Sequence, residues 1–348
     1  MIYSSLFKWG AGLLTASLLA AAVGCSSDAT TSDVGGKSAS DAPAAGSQAE
    51  SAEAAAADSG GPDTEETQPG GSVSYTDYMG HTVDIPAHPQ RIIYYGETLG
   101  DLLELGVAPV GTATEYLAGR IFSGEVPDIQ DVGTPPDPEK SLTLAPDLII
   151  TANPDEKEFA TLSKVAPVIL FDTFAPLEER MQELGVILNK RGEAKQWLAQ
   201  YEASAAKMWD NLRAQGVGAD ETAAVFTFYP GNRLFVMANS GLPQALYQKG
   251  GFTAPPAIRT ILDEGTGFVE ISPEVLDEYA ADRIFILNAV ADEAQESTEA
   301  LLKTDIWKKL PAVQAGHVYR IDILKATSDA YTLEWLLDEL PRMLEAGK

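Results

Sequence analysis

The chain has 348 residues, 24 Lys+Arg against 51 Asp+Glu, a formal charge of −27, 45% hydrophobic residues and a single Cys. That length allows one large or two modest domains with ample core. One Cys excludes an internal disulfide and any Cys-cluster zinc or iron–sulfur site, and the acidic excess argues against a nucleic-acid surface or polybasic docking on lipid, since both need Lys/Arg patches.

Residues 1–24 carry one charge, Lys8, and run apolar and small from Trp9 to Gly24. The run is shorter than the roughly 20 residues that span a membrane and reads as a secretory signal. Ala22-Val23-Gly24-Cys25 resembles the processing site of bacterial lipoproteins, although Ala22 stands where Leu is usual. The resemblance implies that Cys25 becomes the lipidated, palmitate-bearing first residue of the mature chain. An ordinary signal with Cys25 incidental is the alternative.

Residues 25–72, the expected tether, lack aromatic residues and hold nine acids (Asp28, Asp33, Asp41, Glu50, Glu53, Asp58, Asp63, Glu65, Glu66) against Lys37. Such a segment buries too little surface to offset chain entropy, and its charges repel. It reads as an extended acidic spacer lifting a folded domain off a membrane. Removing those acids, Lys37 and Lys8 from the totals leaves 42 acids against 22 bases, so the folded part is itself strongly acidic.

From Val73 onward short β-branched or aromatic runs alternate with helical patterns, which implies an α/β fold with mostly parallel sheets. Strands are expected at Val73–Tyr75, Thr82–Ile85, Arg91–Tyr95, Pro109–Ala113, Leu148–Thr151 and Val168–Phe171. A second cluster follows at Ala223–Tyr229, Leu234–Met237, Arg283–Leu287 and Val318–Ile321. Helices are expected at Leu99–Leu105, Pro154–Lys164, Leu242–Lys249, Pro273–Tyr279 and Thr332–Leu344. Between the strand clusters, Leu177–Leu188 and Glu193–Gln215 read as helices broken near Arg191-Gly192. In the second, Trp197, Tyr201, Met208 and Leu212 recur at packing-face spacing, and Gly216 with Gly218 offers a stop. The pattern gives two Rossmann-like α/β lobes, residues 73–191 and 217–348, joined by a single long inter-lobe helix over 192–216. One nine- or ten-stranded sheet is the alternative.

Catalytic signatures are missing from the sequence: no GxSxG, GxxxxGK, HExxH or GxGxxG. His81, His88 and His317 are scattered and read as loop residues. Direct capture of a bare transition metal needs clustered ligands, so no metal site, cofactor or enzymatic activity is expected. Asp263-Glu-Gly-Thr-Gly267 lacks the alternate acids of a calcium loop.

An ordered set of segments carries a family resemblance. It runs through Asp77–Pro86, His88–Ile93, Leu99–Gly111, Val132-Gly133, Pro138-Glu139-Lys140, Leu144–Ile150 and Ala166-Pro167-Val168. It continues in Ile271–Leu276, Ala281–Ile284, Trp307–Val313 and Gly316–Tyr319. Over about residues 75–346 the chain resembles the substrate-binding proteins of bacterial ABC importers, in the class that takes up iron–siderophore complexes, vitamin B12 and haem. The resemblance implies two lobes bridged by a rigid helix, ligand in the cleft between them, and closure by a small rocking motion. It also implies delivery to a permease with its cytoplasmic ATPase, from a monomer held at the extracytoplasmic face of the membrane. The long tether favours a Gram-positive exterior. A sensor of the same fold without a permease is the other class considered.

Two acids match the family's permease-docking glutamates: Glu139 in Pro138-Glu-Lys140 and Glu274 in Ser272-Pro-Glu274, each expected in a first helical turn, where the helix dipole favours a carboxylate. Ligands of open α/β sheets sit beyond the carboxyl ends of strands. There the sequence carries Tyr95, Glu97, Thr98, Tyr116, Arg120 and Asn153, then Tyr229, Asn232, Arg233, Asn288 and Lys325. This aromatic set with few cations suits a ferric siderophore, a neutral hydroxamate or mixed type rather than a highly anionic tris-catecholate. Vitamin B12, or haem held through Tyr, is the alternative guest.

Overall fold

The computed structural model describes residues 71–126 and 129–346. The expected signal segment, Cys25 and the tether up to residue 70 lie outside the described residues.

Two five-stranded sheets are present, so the chain is not built on one long sheet. A hairpin opens the domain: β1 (Ser72–Thr76) pairs antiparallel with β2 (Thr82–Pro86). The first lobe holds β3 (Ile92–Tyr95), β4 (Gly111–Thr112), β5 (Gln130–Asp131), β6 (Leu148–Thr151) and β7 (Val168–Leu170). All its pairings are parallel, in the order β5-β4-β3-β6-β7. Around it lie α1 (Leu99–Glu104), α2 (Pro138–Thr143), α3 (Glu156–Leu162) and α4 (Leu177–Ile187). Every residue of β3 and β6 is buried, which is why both read as continuous apolar runs.

The second lobe holds β8 (Ala223–Tyr229), β9 (Arg233–Met237), β10 (Phe268–Ile271), β11 (Arg283–Asn288) and β12 (Val318–Asp322), in the order β10-β9-β8-β11-β12. Here β9 runs antiparallel to both neighbours. Helices α6 (Pro243–Leu246), α7 (Pro256–Asp263), α8 (Asp292–Leu301), α9 (Asp305–Lys308) and α10 (Pro311–Ala315) pack around this sheet. The two-residue β5 and the four-residue β10, interrupted by Glu270, escape sequence reading because neither carries a run long enough to show a period.

The long helix α5 (Arg191–Ala214) joins the lobes and divides its buried face between them. Ala194 and Leu198 enter the first lobe's core, whereas Tyr201, Ala205, Met208, Trp209 and Leu212 enter the second's. The break before it lies at Asn189, not at Gly192. Asn189 takes a left-handed φ of 54°, and the Lys190 N–H returns to the Gly185 carbonyl (2.7 Å), the closing bond of a Schellman turn. Gly216 (φ 99°) ends α5 in the same way, with the Val217 N–H on the Leu212 carbonyl (3.0 Å).

The C-terminal helix α11 (Ala330–Ala346) also belongs to both lobes, a feature the sequence reading lacked. Ala330 lies in the first core, and Leu333, Leu336, Leu340 and Leu344 lie in the second. Its first turn abuts α1 at Gly100. A Cβ at Gly100 would stand 2.0 Å from Asp329 Oδ1 and 2.9 Å from Tyr331 Cβ. Overpacking of this kind costs about 1–3 kcal/mol. Gly100→Ala is therefore expected to shift the denaturant midpoint downward by that amount; an unshifted midpoint would mean that α1 and α11 separate freely.

Three side chains meet at the same junction. The Trp197 indole N–H donates to Glu104 of α1 (2.9 Å) and to Glu334 of α11 (3.1 Å). Burial, then the neighbouring charge of Glu334, pushes the Glu104 carboxyl up to about 7 from its ordinary 4.5, against the pull of the Trp197 bond. A carboxyl raised in the folded state holds a proton that the unfolded chain has lost. Its contribution to stability is full below about pH 4.5 and falls as pH rises to about 7. Discounted for partial solvation, the effect is about 1–2 kcal/mol. Glu104→Gln should be more favourable relative to the parent at pH 8 than at pH 5 by that margin. Paired denaturation curves at the two pH values measure it, and an equal difference at both would refute it.

Candidate ligand-binding cleft

The carboxyl ends of the first lobe's strands form one wall. Strand β3 lies between β4 and β6, so the Gly96-Glu97-Thr98 turn is central, with the segment after β4 to one side and the segment after β7 to the other. The rings of Tyr95 and Tyr116 lie 5.7 Å apart. Burial, then its hydrogen bond to Tyr116, holds the Tyr95 hydroxyl above its ordinary range. Tyr116 is raised chiefly by burial, with Glu97, Glu115 and Glu158 adding to it. Asn153 Nδ2 donates to Glu158 (2.7 Å), whose carboxyl burial pushes up. Thr173 donates to the exposed Glu97 (3.1 Å).

The second lobe offers the face of its antiparallel ribbon. Strand register places Tyr229 opposite Arg233, Phe235 opposite Glu270, and Phe268 opposite Met237, all on one face. Arg233 lies over the Phe235 ring (4.9 Å) and pairs with Glu270 (2.8 Å). The Tyr229 hydroxyl is raised by burial and then by the charge of Glu97 in the other lobe. Phe174, from the loop after β7, continues the row, with centroid distances of 6.4 Å to Phe268, 5.8 Å on to Phe235 and 5.2 Å to Tyr229. Phe174, Tyr229 and Phe268 are 47%, 42% and 37% exposed, an uncovered aromatic strip where most large apolar side chains are buried.

The structure thus brings together Tyr95, Tyr116, Glu97 and Asn153 on one wall and Tyr229 and Arg233 on the other. It engages others elsewhere. Thr98 is buried and hydrogen-bonded to the Tyr94 hydroxyl (2.7 Å). Arg120, only 8% exposed, stays with the first wall: its Nε donates to the Tyr116 carbonyl (3.1 Å) and its Nη1 is buried without a hydrogen-bond partner. Asn288 accepts from Arg320 (3.0 Å), and Asn232 and Lys325 lie exposed, Asn232 in the β8–β9 turn and Lys325 in a 3-10 turn after β12. His81 lies in the loop between β1 and β2, as expected, and is held there by stacking on Phe159 and a bond to Asp77 (3.1 Å). Sequence reasoning missed Phe174, Phe235, Phe268 and Glu158. Phe174 stands three residues beyond an expected strand end, which was the available signal. Among the described residues, no group of three or more His, Asp or Glu could hold a metal ion.

The two matched glutamates have like surroundings. Asp137 caps α2 by accepting from the N–H groups of Glu139 (2.8 Å) and Lys140 (3.0 Å), and Ser272 accepts from the Glu274 N–H (3.2 Å). Each Glu follows a Pro and an edge strand, β5 or β10, and is exposed. Glu274 opens a 3-10 segment rather than an α-helix. Lys140 is engaged by Asp131 (2.8 Å), whose carboxyl it holds down to about 2.

A family model described as "Periplasmic binding protein" matches residues 92–323. The chain belongs to the periplasmic binding protein family. An iron(3+)-hydroxamate-binding protein of Bacillus subtilis, YxeB, is 30% identical over 243 residues, covering 68% of this chain and 74% of that relative. Among solved structures, the FhuD protein from S. pseudintermedius superposes with a TM-score of 0.69 at 29% identity, covering 79% of this chain and 98% of its own. Staphylococcus aureus SirA complexed with staphyloferrin B gives 0.69 at 26% identity, with 78% and 98% covered. These family members are solute-binding proteins, not enzymes, and the two-lobed α/β fold with its long helix is theirs. A binding role accords with the cleft, whose aromatic walls and scattered carboxylates offer surface and hydrogen bonds. Among the described residues no helix is long and apolar enough to cross a membrane.

Proposed function

We propose that the chain is the extracytoplasmic solute-binding component of an ABC importer and carries a ferric siderophore of hydroxamate or mixed type in its inter-lobe cleft. The observation that carries this reading is the aromatic row Phe174–Phe268–Phe235–Tyr229, exposed at Phe174, Phe268 and Tyr229 and anchored by buried Phe235, together with the Tyr95–Tyr116 pair at the strand ends of the first lobe. A metal complex wrapped in an organic shell presents apolar faces to such rings. Charge supports the choice of ligand. The charges of Glu97, Glu115 and Glu158 all act on Tyr116, and Arg233 is already paired with Glu270. A complex of high negative charge would meet little compensation there. Haem held by phenolate is disfavoured, because burial raises the Tyr95 and Tyr116 hydroxyls and opposes the deprotonation that iron ligation needs.

Glu139 and Glu274 are proposed to dock the two lobes on basic residues of the permease, and Cys25 to carry the lipid anchor. The decisive experiment is a fluorescence-quench titration against ferric hydroxamates, ferric catecholates, haem and cobalamin. Submicromolar binding is expected for a ferric hydroxamate or mixed siderophore. Binding of none would overturn the importer reading, and binding of cobalamin alone would overturn the choice of ligand.

A further inference from the structure

The loop that carries Phe174 is tied to the second lobe by a chain of hydrogen bonds starting at a buried arginine. Arg180 of α4 donates from Nη1 to the Ala175 carbonyl (2.6 Å) and to Gln244 Oε1 of α6 (3.2 Å). Gln244 Nε2 donates to the Asn239 carbonyl (2.9 Å), and Asn239 Nδ2 donates to the Phe174 carbonyl (3.2 Å). The circuit closes: Arg180 holds one peptide of the loop directly and the preceding one through two side chains of the opposite lobe. The far side is firm as well. The Gly267 carbonyl accepts N–H bonds from Ala238 (2.9 Å), Asn239 (2.9 Å) and Ser240 (3.2 Å), and a Cβ at Gly267 would meet the Phe174 ring at 3.1 Å. Gln244 is the only member of the circuit that both accepts from the first lobe and donates into the second.

We propose that Gln244 is a positioning residue for the ligand cleft: bridging Arg180 and Asn239, it fixes the loop bearing Phe174 against the second lobe and so sets the aromatic wall that ligand meets. The effect on ligand rests on the siderophore reading above; the effect on the loop does not. The hydrogen bonds of the Gln244 side chain run to Arg180 and the Asn239 carbonyl, not to the row. Its influence passes through the backbone at Phe174, so its loss should matter only while the Phe174 ring is present.

Two measurements test this. In the ligand-free protein, amide hydrogen exchange at residues 172–175 should quicken about tenfold in Gln244→Ala. It should also quicken in Gln244→Glu, which keeps an acceptor for Arg180, and hence the fold, but loses the donor to Asn239. With ferrioxamine B as probe, Gln244→Ala should bind about 5–10-fold more weakly and Phe174→Ala about 10–30-fold more weakly. The double variant should be no weaker than Phe174→Ala alone. Unchanged loop exchange in both Gln244 variants overturns the proposal whatever the protein binds, and additive losses in the double variant overturn the route through Phe174. Quickened exchange in a parent protein that binds no ferric siderophore supports the positioning of the loop and overturns the siderophore reading instead.

Discussion

Replacing Arg180 by Met is expected to lower the stability of the domain by about 3–5 kcal/mol, the cost of breaking a buried ion pair by removing one partner. Arg180 and Asp101 have fully buried side chains, with Nε 2.9 Å from the carboxylate. All five guanidinium N–H groups find acceptors: two on Asp101, one on Gln244 and one each on the Ala175 and Ser328 carbonyls. Burial opposes the Arg180 charge, but Asp101 more than offsets this and raises its pKa. Asp101 also accepts from the Ala330 N–H (2.6 Å), the first helical donor of α11. Asp329, capping the same helix through the Thr332 N–H (2.9 Å), has its carboxyl raised by burial. Arg180→Met therefore strands one buried carboxylate beside another at the point where α1, α4 and α11 converge. Arg180→Met combined with Asp101→Leu removes both charges and should recover much of the loss, because an apolar pair of similar volume often replaces a buried ion pair without penalty. Urea unfolding of the three variants decides it: a single-variant loss below about 1 kcal/mol would show that the pair adds little.

Removing both Glu139 and Glu274 should abolish import of the siderophore while leaving the affinity of the isolated protein within about twofold of the parent. Both carboxylates are exposed, in helical turns opened by a capping residue and a proline, so their loss should leave the fold intact. Removing rim charges acts on association with a partner rather than on the fold. Each single variant should retain partial import, because one lobe remains docked. Cell uptake of a radiolabelled iron complex, run beside a titration of the purified protein, separates the two effects. Normal uptake in the double variant would remove the docking assignment, and weakened ligand binding would place these residues in the wrong role.

Much of the architecture can be read from the chain. Ala223–Tyr229 and Leu148–Thr151 are strands with the expected limits, because continuous β-branched and aromatic runs admit no other buried element of that length. Tyr95, Tyr116, Tyr229 and Arg233 were reachable because each stands at or just beyond a strand end. Phe268 was not, since its strand begins directly after Gly265-Thr266-Gly267 and has only four residues, one of them Glu270. Thr98 and Arg120 were legible as positions but not as environments: a loop residue's burial depends on what packs over it from elsewhere.

The sequence by itself determined the α/β class, the grouping of strands into two lobes, the long helix α5 between them and the capped turns that hold Glu139 and Glu274. All of these follow from composition, period and capping within a few residues of chain. The tertiary structure alone decided that α11 shares the inter-lobe junction, that Phe174 crosses to the aromatic face of the second lobe, and that Arg180 gathers acceptors from Asp101, Ala175, Gln244 and Ser328. Asp101 and Ala330 are 229 positions apart, and Arg180 and Ser328 are 148 apart. A hydrophobic period records which face of an element is buried but carries no address for its partner, so contacts between lobes appear only once both sheets and the helices between them have closed around their cores.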